Sequence, residues 1–170
     1  MPLYSKKVIK CFKNPRNYGK IKNPDGIGKV GNIICGDVMW LYIKIKKTKK
    51  KEIIKDIKFE TFGCVAAIAT SSVIADLAKE KTLEEALKIT KENIINFLGG
   101  LPPIKLHCSI LAIDALSEAI FDYLSKEKKE ISKELQGRHK KIEQEKKIVE
   151  EKYKDWIKIE EQAHQDNKII

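Results

Sequence analysis

Three thiols, a carboxylate and an imidazole are the side chains through which this sequence can do chemistry. They belong to Cys35, Asp37, Cys64, His107 and Cys108. One glycine separates Cys35 from Asp37, so both side chains point the same way in an extended segment. Thiolates combined with a carboxylate or an imidazole suit tetrahedral zinc, or iron in a sulfur cluster. Because the three cysteines stand on separate loops, and not in Cys-x-x-Cys pairs, the spacing predicts an exposed site that releases its metal readily.

Two of these thiols stand where helices should begin. The prolines of Leu101-Pro102-Pro103-Ile104-Lys105 end the preceding helix, and an apolar pattern at helical spacing follows them, so a helix should begin within a turn of Pro103. His107 and Cys108 then lie in its first turn. Cys64 has a comparable position, between a strand pattern and a helix pattern. Because the N-terminal end of a helix favours an anion, we expect a lowered pKa for Cys108 and a thiolate ready to bind metal or attack sulfur.

The elements that must position these side chains follow from hydrophobic periodicity and capping signals. A helix over residues 5–13 has Ser5 as its N-cap. Apolar and polar residues alternate over residues 37–47 and 52–61, which predicts an antiparallel hairpin. Helices follow over residues 65–79, over about 82–89 with a capping box at its start, and from Thr90 to the Gly99-Gly100 stop. If the sheet edge and the two helix starts converge, the five side chains meet at one surface.

The segment from Gly26 to Gly31 formally matches Gly-x-Gly-x-x-Gly, a motif of dinucleotide-binding folds. That motif requires a strand before it and a helix after it, whereas here a loop precedes it and a strand pattern follows. We therefore reject nucleotide binding, and we expect the glycines to form a flexible, tightly turning approach to Cys35.

Size and composition restrict the class of protein. The chain has 170 residues, a net charge of +10, 42% hydrophobic residues and 7% aromatic residues. The lysines are spread along the chain without interleaved aromatics, so we expect no nucleic acid as a partner. No apolar run approaches a membrane span and the N-terminus lacks a signal-peptide pattern, so we expect a cytoplasmic protein with no membrane partner. In a reducing compartment, four cysteines indicate ligands or nucleophiles rather than disulfides.

Residues 126–170 form a highly charged extension. Apolar residues recur there every seven positions, at Leu135, Ile142, Val149, Trp156 and Ala163. The pattern predicts a long amphipathic helix with a break at Gly137, and its apolar stripe could dock on the preceding domain, pair with another copy or grip a partner. We expect His139 and His164 to be solvated surface residues, and Cys11 to be a small buried or half-buried thiol in the first helix.

Over about residues 1–125 the chain resembles the NifU/IscU family of iron–sulfur cluster scaffold proteins. The motifs that carry the resemblance are Asn14-Pro15-Arg16-Asn17, Cys35-Gly36-Asp37-Val38-Met39, Thr61-Phe62-Gly63-Cys64 and Leu101-Pro102-Pro103-Ile104-Lys105-Leu106-His107-Cys108-Ser109. The resemblance implies an α+β fold, in which helices pack on one face of a three-stranded antiparallel sheet. The corresponding domains are a scaffold domain over residues 1–125 and a helical extension over residues 126–170.

The resemblance also implies roles for individual residues. Cys35, Cys64 and Cys108 would be the cluster cysteines, with Asp37 and His107 as auxiliary ligands. A cysteine desulfurase would deliver sulfur as a persulfide onto Cys108. An Hsp70-type chaperone recognises, in some members, the segment that corresponds to Leu101, Pro102, Pro103, Ile104 and Lys105.

We therefore predict a carrier without turnover of its own, which assembles a transient 2Fe–2S cluster from iron and sulfur and hands it to apo iron–sulfur proteins. One alternative is a zinc-bound sulfur acceptor for a cysteine desulfurase, and another is a structural zinc domain whose extension mediates interactions. Zinc is expected to copurify in every case, because three thiolates bind it well. Val65 and Ala66 depart from the Gly-Ser of many members, whereas His107 favours the scaffold branch over the zinc-bound branch. The sequence leaves open whether the protein is a homo-oligomer.

Overall fold

The computed structural model describes residues 3–32, 35–152 and 154. Its elements, in chain order, are α1 (Lys6–Lys13), β1 (Gly26–Gly31), β2 (Val38–Lys47), β3 (Glu52–Phe62), α2 (Val65–Ala78), α3 (Leu83–Leu87), α4 (Lys91–Leu98), a 3-10 turn (Pro103–Lys105), α5 (His107–Lys126) and α6 (Lys133–Lys152). Within these described residues, no helix combines the length and the apolar character needed to cross a membrane.

The three strands form one antiparallel sheet in the order β1-β2-β3. Alternation along β2 places Met39, Leu41 and Ile43 on one face, where all three are fully buried. Helices α2 and α5 pack on this face and share its apolar core. The predicted hairpin and the predicted α+β arrangement of a three-stranded sheet with helices are therefore confirmed.

Side-chain caps define the starts of the predicted helices. The Ser5 hydroxyl accepts a hydrogen bond from the Val8 N–H at 3.1 Å, at the start of α1. The Thr82 hydroxyl accepts from the Glu85 N–H at 3.2 Å, while the Glu85 carboxylate accepts from the Thr82 N–H at 2.9 Å. Gly99, with φ of 70°, ends α4. These caps confirm the helix starts that the sequence predicted at Ser5 and Thr82.

The glycine-rich segment is a strand, and the prediction of a flexible turn there was wrong. Gly26, Gly28 and their neighbours form β1, which pairs with β2 along its whole length. A Cβ at Gly28 would lie 2.0 Å from the Ala115 carbonyl oxygen, and one at Gly26 would lie 2.2 Å from the Ala119 carbonyl oxygen. The glycines therefore let α5 approach the strand backbone closely, which alternation of apolar residues could not reveal.

The Gly28→Ala variant should consequently be less stable by roughly 3 kcal/mol, because α5 must move away from β1 to admit the methyl group. Urea unfolding measures this difference. The matched control is Gly137→Ala in α6, where an added Cβ meets open space. Alanine is the better helix former, so this control should be more stable by about 0.5–1 kcal/mol. Equal stability of Gly28→Ala and the parent would contradict the close approach.

The extension begins as a continuous helix that docks on the domain. α6 runs from Lys133 through Gly137 without the predicted break. Leu135 and Ile142, the first two residues of the seven-residue repeat, are buried and belong to the same core as the sheet. Of the three alternatives for the apolar stripe of the extension, this part therefore docks on the preceding domain. The Val149 side chain and residues Trp156, Ala163 and His164 lie outside the described part of the chain.

His139 is not the solvated residue that the sequence predicted. Its ring stacks on Phe121 of α5 with centroids 3.8 Å apart and planes at 11°. Its Nδ1 lies 3.0 and 3.1 Å from the two carboxylate oxygens of Glu118. Because α6 continues unbroken past Gly137, it turns this face of the helix toward α5.

Candidate metal centre

The start of β2, the end of β3 and the starts of two helices lie at one end of the sheet. There they bring together the predicted side chains, which come from the β1–β2 loop, from the N-cap of α2 and from the first turn of α5: Cys35, Asp37, Cys64, His107 and Cys108. Val38 pairs with Phe62 on the neighbouring strand, so the residue before β2 and the residues after β3 share that end of the sheet.

Asp37 is the common neighbour of the other ligand candidates. Its Oδ2 lies 3.6 Å from the Cys64 Sγ and 3.9 Å from the Cys108 Sγ, and these two sulfurs are 3.9 Å apart. Donor atoms of Cys35, Asp37 and His107 also lie within 4.8 Å of one another. Three thiols, a carboxylate and an imidazole therefore surround a space where one metal ion or a small cluster can be ligated. Their roles as ligands stay a prediction.

A turn anchored by Asn32 holds Cys35 in place. The Asn32 side-chain oxygen accepts a hydrogen bond from the Cys35 N–H at 3.3 Å, and its carbonyl accepts from the Gly36 N–H at 2.9 Å. The Asn32 N–H donates in turn to the Asp37 carbonyl at 2.9 Å. Gly36 has φ of 70°, a conformation that glycine adopts at little cost. Gly36 therefore allows this turn, which replaces the extended segment that was predicted between Cys35 and Asp37.

Gly63 makes room for the Asp37 carboxyl group. A Cβ at Gly63 would lie 2.9 Å from the Asp37 Cγ and 2.9 Å from the Ala67 Cβ. Asp37 is only 5% exposed, so it could not move into solvent without losing its place between the thiols. Sequence reasoning missed Gly63 and Asn32. Two features of the sequence could have revealed them. One is a glycine directly before a helix-capping cysteine, and the other is an asparagine at turn spacing before Cys35.

The expected lowering of the Cys108 pKa is not found. Burial of Cys108, which is 0% exposed, raises the pKa of its thiol, and the nearby Cys64 and Asp37 raise it further. The 3-10 turn before α5 also occupies a first-turn donor, since the Ser109 N–H bonds to the Leu106 carbonyl at 3.2 Å. Burial likewise raises the pKa of Cys35. These thiols should therefore release protons when they bind metal.

Two further groups face the centre. The charge of Cys64 raises the pKa of Lys105, whose ammonium group can thereby balance negative charge at the thiols. The Nε2 atom of His107 is buried and has no hydrogen-bond partner among the residues that the structure describes. A buried nitrogen with a free lone pair or proton is costly, and ligation of a metal would satisfy it. Cys11, by contrast, lies half-buried in α1, as expected.

Residues 3–130 match the family model of the NifU-like N-terminal domain. This chain belongs to that family. Two relatives from Archaeoglobus fulgidus, named iron–sulfur cluster assembly scaffold proteins IscU 1 and IscU 2, are each 58% identical over 124 residues, which is 73% of this chain and 78% of theirs. The iron–sulfur cluster assembly scaffold protein IscU of Aquifex aeolicus is 44% identical over 124 residues, with the same two shares covered.

Solved structures show the same NifU-like fold. A crystal structure from Fervidobacterium islandicum, described as an iron–sulfur cluster assembly scaffold protein for the SUF system, has a TM-score of 0.56 and 26% identity, and covers 69% of this chain and 96% of that one. An N-terminal NifU-like protein from Brucella abortus has a TM-score of 0.58 at 19% identity, covering 73% of this chain and 96% of that one, a likeness of fold alone.

Proposed function

We propose that this NifU-like chain is a scaffold that assembles a 2Fe–2S cluster and passes it to apo iron–sulfur proteins. The observation that carries the proposal is the convergence of the Asp37 carboxylate with the Cys64 and Cys108 thiols within 3.6–3.9 Å at one end of the sheet. The names of its relatives as cluster assembly scaffolds support the same conclusion. The protein itself would be a carrier and not an enzyme.

The donor set suits temporary binding of the cluster. A 2Fe–2S cluster takes four protein ligands, and Cys35, Cys64 and Cys108 would supply three of them. Asp37 would be the fourth, with His107 exchanging into its place. A carboxylate is a harder and weaker ligand for iron than a thiolate, so it makes release to a recipient easier. A cysteine-only site would hold the cluster more firmly.

Sulfur would reach the centre from a cysteine desulfurase. The Cys108 thiol, whose pKa is raised, would first lose its proton, and the thiolate would then attack the outer sulfur of the desulfurase persulfide. The desulfurase cysteine would leave as a thiolate and take up a proton. The sulfur on Cys108 is then still a persulfide, so an external electron donor must supply two electrons to produce sulfide. The cysteines are free thiols, and thiols stay reduced in the cytoplasm, so we place the function of this protein there.

Exposed apolar side chains around the centre would receive these partners. Leu3 is 69%, Phe62 80% and Ile104 75% exposed. Phe62 and Ile104 lie on the segments that carry Cys64 and Cys108, and Leu3 precedes Tyr4, which packs against the cluster that contains Cys108. An apolar patch made of such side chains would be typical of a protein contact site. We assign the desulfurase and the recipient proteins to this surface. An Hsp70-type chaperone would bind residues 101–105, which include Ile104.

Anaerobic reconstitution with ferrous iron, cysteine, a desulfurase and a thiol reductant as the electron donor tests the function. The visible absorption of a 2Fe–2S cluster should appear, and it should decay as an apo-ferredoxin acquires the cluster. A protein that keeps its zinc, forms no chromophore and only accelerates the desulfurase would instead be the zinc-bound sulfur acceptor. Zinc retained without any effect on the desulfurase would identify a structural zinc domain.

A further inference from the structure

A second group of metal-ligating side chains lies between α5 and α6, away from the candidate metal centre. Glu118 of α5, with His139 and Glu143 of α6, brings one donor atom each within 4.8 Å of the others. His139 and Glu143 are four residues apart on one helix, so their side chains leave the same face. Both lie beyond residue 130, where the match to the NifU-like domain ends.

This group is held in place before any ion binds. Glu118 is 6% exposed, so its carboxylate is confined between the two helices. The His139 ring is fixed against Phe121 and directs Nδ1 at the Glu118 carboxylate. Ligands that are positioned by helices and by packing need little reorganisation to bind a metal.

Lys146 supplies positive charge to this group. Its Nζ lies 2.8 Å from the Glu143 carboxylate and 3.9 Å from that of Glu118. A buried carboxylate beside a second carboxylate requires such compensation. The Lys146 side chain is 31% exposed, so it can move into solvent and leave the two carboxylates to another cation.

We propose that Glu118, His139 and Glu143 form a binding site for a divalent metal ion such as Zn²⁺ or Fe²⁺. The ion takes the place of the Lys146 ammonium group beside the two carboxylates. An imidazole nitrogen with two carboxylates is a donor set that these ions accept. Ligand atoms around a tetrahedral zinc lie roughly 3.4 Å apart, so separations of up to 4.8 Å require only small side-chain movements. The ion replaces the His139–Glu118 hydrogen bond and links α6 to α5, which fastens the extension.

Zinc titration of a full-length variant with Cys35, Cys64 and Cys108 replaced by serine tests this site separately from the proposed function. We expect one equivalent of Zn²⁺ to bind, and a hundredfold excess over Kd to raise the Tm by roughly 5 °C or more. Adding Glu143→Gln or His139→Ala should weaken binding at least about tenfold. Glu134→Gln is the matched control in α6, because Glu134 pairs with Arg138 and not with this group, and it should leave binding unchanged.

Lys146→Met provides the sharpest result, because removal of the competing ammonium should tighten zinc binding roughly tenfold. If the serine variant does not fold, wild-type stoichiometry serves instead, and Glu143→Gln should lower it from two equivalents to one. Absence of binding, binding that Glu143→Gln and His139→Ala leave unchanged, or weaker binding by Lys146→Met would overturn the proposal. The group would then be an ion-pair network only.

Discussion

The Cys108→Ser variant should lose the ability to accept sulfur from a cysteine desulfurase. A hydroxyl group cannot form the sulfur–sulfur bond of a persulfide, and its low nucleophilicity removes the attack itself. Mass spectrometry after incubation with desulfurase and cysteine should show the added sulfur atom on the parent protein. In the variant we expect this signal to fall roughly a hundredfold, to background, because thiolate chemistry is lost outright.

Three other serine variants serve as controls for this result. Cys11→Ser, Cys35→Ser and Cys64→Ser should retain most of the sulfur acceptance, although the latter two lose cluster binding. Cys108 is 0% exposed and packs with Ala66 and Ala67, so circular dichroism must show that the variants remain folded. Undiminished persulfide on Cys108→Ser would contradict its role, and specific loss in Cys64→Ser would assign that role to Cys64.

The Asp37→Ala variant should hold a reconstituted cluster longer than the parent protein. Asp37 lies within 3.6–3.9 Å of two thiols, and in the proposed function it would supply the harder oxygen ligand and the route for ligand exchange during release. We expect cluster loss, followed by visible absorption under anaerobic conditions, to slow by about tenfold. Transfer to an apo-ferredoxin should slow in parallel.

Asp25→Ala is a suitable control, because Asp25 pairs with Lys44 at 2.9 Å before β1 and far from the thiols in the chain. Its cluster should decay at the parental rate. Faster loss in Asp37→Ala than in the parent would show that the carboxylate protects the cluster, and would contradict its assignment as the labile ligand.

The sequence predicted the elements whose signals are local. The β2–β3 hairpin followed from alternation, and the starts of α1 and α3 from Ser5 and the Thr82 capping box. The convergence of Cys35, Cys64 and Cys108 at one end of the sheet depended on tertiary packing, and the quoted motifs made it predictable through a family resemblance. Periodicity alone would have left it open.

Contacts between distant segments account for the predictions that were wrong. Gly28 forms a strand because α5 lies against it, and no neighbouring residue signals that approach. The Cys108 pKa is raised because burial and two acidic neighbours outweigh the helix end. His139 and Gly137 were misjudged because the docking of α6 on α5, and not local propensity, decides their surroundings.

Because Leu135 and Ile142 are buried, a cut in the chain between α5 and α6 should not release α6 from the domain. The connecting residues around Lys128 are exposed, so trypsin can reach them while both helices stay in place. The severed fragment should therefore remain bound through its apolar face, and the nicked protein should elute as one species under native conditions and as two in denaturant. Amide deuterium exchange in the first turns of α6 should likewise be slow and close to that of β2, since Leu135 and Ile142 belong to the same core as that strand.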